Sequence, residues 1–148
     1  MTDTMKAATP WHLWAVGVIS LLWNAFGGYD FVMSVTQGET YWRASGMTDA
    51  MVDYYNAMPI WMYVPWVLGV WGAVAGSILL LMRNKLAVQG FALSLLGAVV
   101  SLAYGLANPM PPLPEAMAMM SYMPWIIVVI AALLALYAWT MGKKGVLS

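Results

Sequence analysis

The sequence has no cysteine and very little charge, and both absences narrow what the chain can do. Without cysteine it forms no disulfides and supports no thiolate chemistry. Charged residues make up 8% of the 148 residues, whereas a soluble domain usually carries about 25%. The six basic residues form no patch of the kind that binds nucleic acid, and no nucleotide-binding loop or nucleophile elbow is present. We therefore expect neither a soluble enzyme nor a nucleic-acid-binding protein.

Hydrophobic residues, by contrast, make up 63% of the chain and run in long uncharged stretches. Each stretch exceeds the roughly 20 residues that a helix needs to cross a bilayer. The sequence predicts one all-α domain, residues 1–148, an integral membrane four-helix bundle with spans at about 11–32, 60–82, 86–106 and 124–141. No small-residue cleavage site follows the first span, so we expect it to be retained and not removed as a signal peptide.

The basic residues predict the orientation of these spans. With four spans, Arg43 falls on one side and the other five fall together on the opposite side: Lys6, Arg83, Lys85, Lys143 and Lys144. Lysine and arginine accumulate on the cytoplasmic side of membrane proteins. The expected location is the bacterial inner membrane, with several passes, both termini cytoplasmic and the lipid bilayer as surrounding partner.

The first outer loop, residues 33–59, contains a predicted short amphipathic helix. Thr48 has the character of an N-cap, and Asp49 follows in the first turn, where a carboxylate suits the helix dipole. Met47, Met51, Tyr54 and Met58 recur at helical spacing, while the opposite face carries Asp49, Asp53 and Asn56. We expect this helix to lie on the outer membrane surface or to cap the mouth of the bundle.

Small residues on every span indicate close helix packing, which membrane helices need because lipid gives little hydrophobic drive between them. The residues assigned to packing are Gly27 or Gly28, Gly69, Gly72, Gly76, Gly97 and Ser101. The same pattern suits a homo-oligomer or a larger membrane complex, and the sequence does not separate these from a single bundle.

Three polar residues form the candidate ligand or structural site. Asn24 lies within the apolar part of span one, so its amide needs a partner. That partner is either a ligand or a serine or backbone group on a neighbouring span. Asp30 lies near the outer end of the same span and has Arg43 as its expected partner, with Glu39 competing for the arginine. His12, the one histidine, has the position of an interfacial anchor.

Methionine is unusually frequent, and ten of the fourteen fall in the outer half of the predicted topology. Thioethers are soft ligands suited to Cu(I), and the segment that best offers a set contains Met117, Met119, Met120 and Met123. The alternative is adaptable apolar packing of these flexible side chains. We predict no cofactor.

Two stretches, SLLWNAFGGYDF (20–31) and LGVWGAVAGSILLLMR (68–83), carry a family resemblance. They resemble small proteobacterial four-transmembrane-helix proteins of unknown function, which automated naming often calls "sugar transporter". The residues that carry the resemblance are Trp23, Asn24, Asp30, Pro59, Trp61, Gly69, Trp71, Gly72 and Gly76. It brings no established activity, and four spans are too few to enclose a sugar-sized aqueous path unless subunits assemble.

These observations leave three functional hypotheses. The first is a small non-enzymatic inner-membrane protein, either an accessory or structural subunit or a self-assembling bundle. The second is a transporter or binder of a small or lipid-like ligand at the outer mouth, near Asn24 and Asp30. The third is Cu(I) binding by the outer methionines.

Overall fold

The computed structural model describes residues 8–148, and this part of the chain is helical with no strand. Lys6, one of the residues used to predict the orientation, lies outside it. Two 3₁₀ segments, Ile60–Met62 and Glu115–Ser121, precede longer helices. The α-helices are α1 (Trp11–Gln37), α2 (Glu39–Ala44), α3 (Asp49–Asn56), α4 (Tyr63–Leu81), α5 (Leu86–Ala107) and α6 (Met123–Lys143).

Four helices are long and apolar enough to cross a membrane, which confirms the predicted number. They are α1, α4 with its 3₁₀ turn, α5, and α6 with its 3₁₀ segment. The first is longer than predicted, because nothing breaks the helix until Gly38, which has a φ of 55°. We call the end of the bundle that carries residues 82–85 the inner end, and the end that carries residues 38–58 the outer end.

The four long helices pack as a row in the order α1, α4, α5, α6. The first and last helices meet at the inner end, where His12 Nδ1 and the Tyr137 hydroxyl are 2.6 Å apart. An inner core forms there from apolar residues of all four helices, including Leu13, Leu80, Phe91 and Leu134. The two end helices of the row, α1 and α6, are therefore in contact at the inner end.

The C-terminal segment completes this inner core, which the sequence does not predict. Val146 and Leu147 are buried against the four helices. Ser148 N–H donates to the Arg83 carbonyl at 2.9 Å, and Lys85 N–H donates to the Ser148 carbonyl at 3.2 Å. These bonds attach the segment to the turn between α4 and α5.

The contact between α4 and α5 depends on small residues. A Cβ atom at Gly97 would lie 2.3 Å from the Pro65 carbonyl oxygen, and one at Gly90 would lie 2.9 Å from Gly76 Cα. Gly72 and Gly69 face the same seam, where the Ser94 hydroxyl donates to the Gly69 carbonyl at 2.7 Å. The two backbones approach more closely than side chains would allow.

The contact between α1 and α4 shows which of the two glycines proposed for helix packing in span one faces a neighbouring helix. A Cβ at Gly28 would lie 3.3 Å from the Trp71 ring, whereas one at Gly27 would have no atom within 4 Å. Gly28 therefore faces α4, and the assignment of Gly27 to packing is wrong. The buried residues of α1 follow one stripe at three- and four-residue steps: Leu13, Gly17, Ser20, Asn24 and Gly28.

Candidate functional site

Asn24 joins α1 to α4 through two hydrogen bonds. Its side-chain amide nitrogen donates to the Ser77 hydroxyl at 2.9 Å and to the Ala73 carbonyl at 3.3 Å. The Ser77 hydroxyl in turn donates to the Ala73 carbonyl at 2.9 Å. Both amide hydrogens are thus used within the buried contact, as an interhelical bond requires.

Asp30 and Arg43 do not pair, and the predicted ion pair between them is wrong. Asp30 accepts a hydrogen bond from the Tyr41 hydroxyl at 2.7 Å. Arg43 donates to Asp49 and lies 3.9 Å from the Glu39 carboxylate, one helical turn before it on α2. The competition from Glu39 for Arg43 is therefore confirmed, while Tyr41, not Arg43, is the partner of Asp30.

The segment containing α2 and α3, which we call the cap, is held by polar contacts of its own. Trp42 Nε1 donates to the Ser34 hydroxyl at 3.0 Å, and Asn56 donates to Glu39 at 2.7 Å. The Thr48 hydroxyl accepts from Met51 N–H at 3.3 Å and so acts as the predicted N-cap of α3. Met51 is buried whereas Asp49 is exposed, which makes α3 amphipathic.

Three tyrosines of the cap, Tyr41, Tyr54 and Tyr55, have raised pKa values. The hydrogen bond to Asp30, with a smaller contribution from burial, raises the pKa of Tyr41 to about 12. Burial raises the pKa of Tyr55 to about 12 as well. The hydroxyls of Tyr41 and Tyr55 are therefore protonated at neutral pH.

An open pocket of about 510 Å³ lies between the outer halves of α5 and α6; we call it the α5–α6 pocket. The buried residues of α5 end at Ala98, and those of α6 begin at Ala131, so the outer halves of the two helices are not in close contact. The connecting segment 108–122, with its four prolines among 108–114, supplies most of the remaining lining, and Tyr54 of α3 completes it.

The lining of the α5–α6 pocket is uncharged and includes a serine hydroxyl without a partner. Ser101, assigned from sequence to helix packing, lines this pocket, beyond the α4–α5 seam. Within the described chain its hydroxyl makes no hydrogen bond. The other serine and threonine hydroxyls of the four long helices are each hydrogen-bonded: Ser20, Ser34, Thr36, Ser77, Ser94 and Thr140.

The methionines of the copper hypothesis have different surroundings. Met120 lines the α5–α6 pocket, Met119 is 64% exposed, and Met117 Sδ lies 3.9 Å from where a Cβ of Gly46 would be. Met123 is the first residue of α6. Among residues 8–148 no group of three or more His, Asp or Glu side chains is placed to hold a metal ion. Because a Cu(I) site made of thioethers needs none of those side chains, copper binding by these methionines stays a prediction.

The sequence analysis missed the α5–α6 pocket, although a signal for it is present. Residues 123–130, MPWIIVVI, contain no small residue, whereas the inner half of α6 contains Ala131, Ala132, Ala135 and Ala138. A helix whose small residues are confined to one half packs closely through that half alone.

No protein-family model, curated protein or solved structure matches the chain.

Proposed function

We propose that the chain is a multi-pass protein of the bacterial inner membrane, with both termini cytoplasmic, that acts without catalysis as an accessory or structural subunit. Its role is to pack beside other membrane helices, including those of further copies of itself. The four long apolar helices account for membrane insertion, and the bias of lysine and arginine toward the inner end supports the orientation.

The observation that carries this proposal is the use of the polar groups inside the spans. Asn24 and Ser77 bond to each other and to the Ala73 carbonyl, and Ser94 bonds to the Gly69 carbonyl. A transport path needs polar groups that face water or a solute. In this bundle the side chains of Asn24, Ser77 and Ser94 hold helices together. Their use favours a structural role over the transport hypothesis centred on Asn24 and Asp30.

The row arrangement supports assembly with other helices. Because α1 and α6 lie at the two ends of the row, each leaves a broad face uncovered by the other long helices. On α1 that face carries Ile19, Leu22 and Phe26, which are 67%, 67% and 72% exposed. These residues follow helical spacing and form one apolar stripe. A partner helix packed along this stripe would give α1 a second neighbour.

The exposed tryptophans support the placement in a bilayer. Trp11 and Trp139 are exposed at the inner end, and Trp61 and Trp125 at the outer end. Tryptophan prefers the headgroup level of a membrane because its ring is apolar and its N–H is polar. The two pairs therefore mark two interfaces on either side of the bundle.

Native mass spectrometry of the full chain released from lipid nanodiscs tests the proposal. We expect a defined homo-oligomer or a complex of constant stoichiometry with another membrane protein. The double variant Leu22→Ala, Phe26→Ala should weaken it, whereas the matched change Val129→Ala, Leu133→Ala on α6 reports whether the other flank is used. A monomer without protein partners in every lipid composition would overturn the proposal.

A further inference from the structure

We propose that the α5–α6 pocket binds a neutral lipid whose head carries a hydrogen-bond-accepting ring carbonyl, the chemistry of a membrane quinone. The proposal concerns binding alone and includes no electron transfer. It goes beyond the structural role above, since a subunit of either kind, alone or in a complex, could hold such a lipid.

The uncharged lining of the α5–α6 pocket favours a neutral ligand. The lining of the α5–α6 pocket contains no Asp, Glu, Lys, Arg or His. The one basic residue of the outer end, Arg43, is engaged with Asp49 and Glu39 on the cap. A phosphate headgroup in the pocket would have no cation to pair with, and an unpaired charge is costly to remove from water. An uncharged head avoids that cost.

The Ser101 hydroxyl favours a ligand that carries a hydrogen-bond acceptor. Ser101 lies six residues before Ala107, the last residue of α5, which places it about 9 Å inside the outer end of the helix. Its hydroxyl is the one serine or threonine hydroxyl of the long helices without a hydrogen bond, and the surroundings are mainly apolar. A ligand carbonyl at this depth would accept a hydrogen bond from the Ser101 hydroxyl, which no described protein group does.

Aromatic side chains select a flat ring. Tyr54, Tyr122 and Trp125 line the pocket together with Met120, and flat π faces and a thioether pack well against a planar conjugated ring. The volume of about 510 Å³ lies within the usual range for small-molecule sites. Leu106, which also lines the pocket and is 61% exposed, offers an apolar exit for an isoprenoid tail.

Two matched glycines allow the site to be blocked without disturbing the fold. A Cβ at Gly105, which lines the pocket, would have no atom within 4 Å, and the same holds at Gly142 near the inner end of α6. Gly105→Leu therefore fills the pocket, while Gly142→Leu adds the same side chain far from it. Ser101→Ala removes the free hydroxyl, and Thr140→Ala removes a bonded one.

The experiment titrates a two-isoprene ubiquinone into the full chain in phosphatidylcholine nanodiscs and follows quenching of tryptophan fluorescence. We expect saturable quenching above the linear background of lipid partitioning, and Trp125→Phe should remove most of it. Gly105→Leu should weaken binding more than tenfold and Ser101→Ala about fivefold to tenfold. Gly142→Leu and Thr140→Ala should bind as the parent protein does.

Either of two results overturns the inference. One is quenching without saturation, or saturable quenching that Gly105→Leu leaves unchanged. The other is displacement of the quinone by phosphatidylglycerol with a dependence on Ser101, which would identify a charged lipid as the occupant. Neither result bears on the oligomeric state measured by mass spectrometry, so failure here and failure of the structural proposal are distinguishable.

Discussion

Helix α5 meets its two neighbours in different ways. Against α4 it forms a seam in which a side chain at Gly97 or Gly90 would strike backbone atoms. Against α6 it is close at the inner end, and the outer halves leave room for the α5–α6 pocket. Helix α5 thus packs closely against α4 along a contact lined by glycine, and it packs closely against α6 only at the inner end.

The difference shows that residue size on both partners decides where membrane helices touch. Along the closed seam, small residues of α4 face small residues of α5, such as Gly72 facing Gly90. In the outer half of α6, Trp125 and large aliphatic residues replace them. Because lipid is as apolar as these side chains, nothing forces the bulky half of α6 onto α5.

The largest expected effect breaks the closed seam. Gly97→Leu would place a Cβ 2.3 Å from the Pro65 oxygen and 2.6 Å from the Gly69 nitrogen, both backbone atoms that cannot move aside alone. We expect a loss of about 3 kcal/mol in the free energy of unfolding, measured by steric trapping in bicelles. Gly105→Leu, on the same helix but in open space, should change it by less than about 0.5 kcal/mol. Equal losses would contradict the comparison.

The next effect concerns the inner end, where α6 does find close contacts. Leu147 is 1% exposed within the inner core. Truncation to alanine removes packing atoms and leaves a cavity that only partly collapses, so we expect a loss of about 2 kcal/mol. The control is Leu136→Ala on α6, where the side chain is 57% exposed and little packing is lost. Thermal unfolding followed by circular dichroism distinguishes the two, and indistinguishable midpoints would argue against the core.

A smaller effect tests the α1–α4 contact, which the hydrogen bonds of Asn24 join. Asn24→Leu removes the bonds to Ser77 and Ala73. Interhelical hydrogen bonds in membranes average about 0.6 kcal/mol, so we expect a loss of about 1 kcal/mol for the pair. Thr36→Val, which removes a bond within one helix, serves as control. A loss above that of Gly97→Leu would mean that Asn24 does more than join helices.

The smallest effect concerns the cap, which closes the outer end over α1. The pKa of Tyr41 is raised to about 12 from 10, so folding favours its neutral form. The stabilisation from its bond to Asp30 is therefore complete below pH 10 and disappears as the pH rises through 12. In ultraviolet titration of the folded protein, Tyr41→Phe should remove a tyrosinate that forms near pH 12. Loss of one that forms near pH 10 would contradict the bond.

Much of the fold follows from the sequence, because long uncharged stretches leave few alternatives to membrane helices. For Asn24 the sequence predicts that the amide needs a partner, either a ligand or a group on a neighbouring helix, and the structure gives it Ser77 and Ala73. Thr48 is a further example, because capping depends on local spacing that the sequence contains directly.

The errors arise where a result depends on rotation about a helix or on the path of a loop. Gly27 and Gly28 differ by about 100° around α1, and small-residue counting does not choose between them. The turn at Gly38, with a φ of 55°, lies between α1 and α2, and after it Tyr41 in place of Arg43 lies beside Asp30. Whether Ser101 is covered depends on how far the outer half of α6 lies from α5. The sequence of α5 alone does not determine that distance.

The inner core also sets the order in which the chain can assemble. Helices α4 and α5 are joined by a short turn, so they can associate as a hairpin as soon as both have entered the bilayer. His12 and Tyr137, by contrast, are 125 residues apart in the sequence. The packing of Leu13 in the inner core is therefore completed only after α6 has been synthesised. During biosynthesis the interval before that point is when α1 is most open to pairing with another chain.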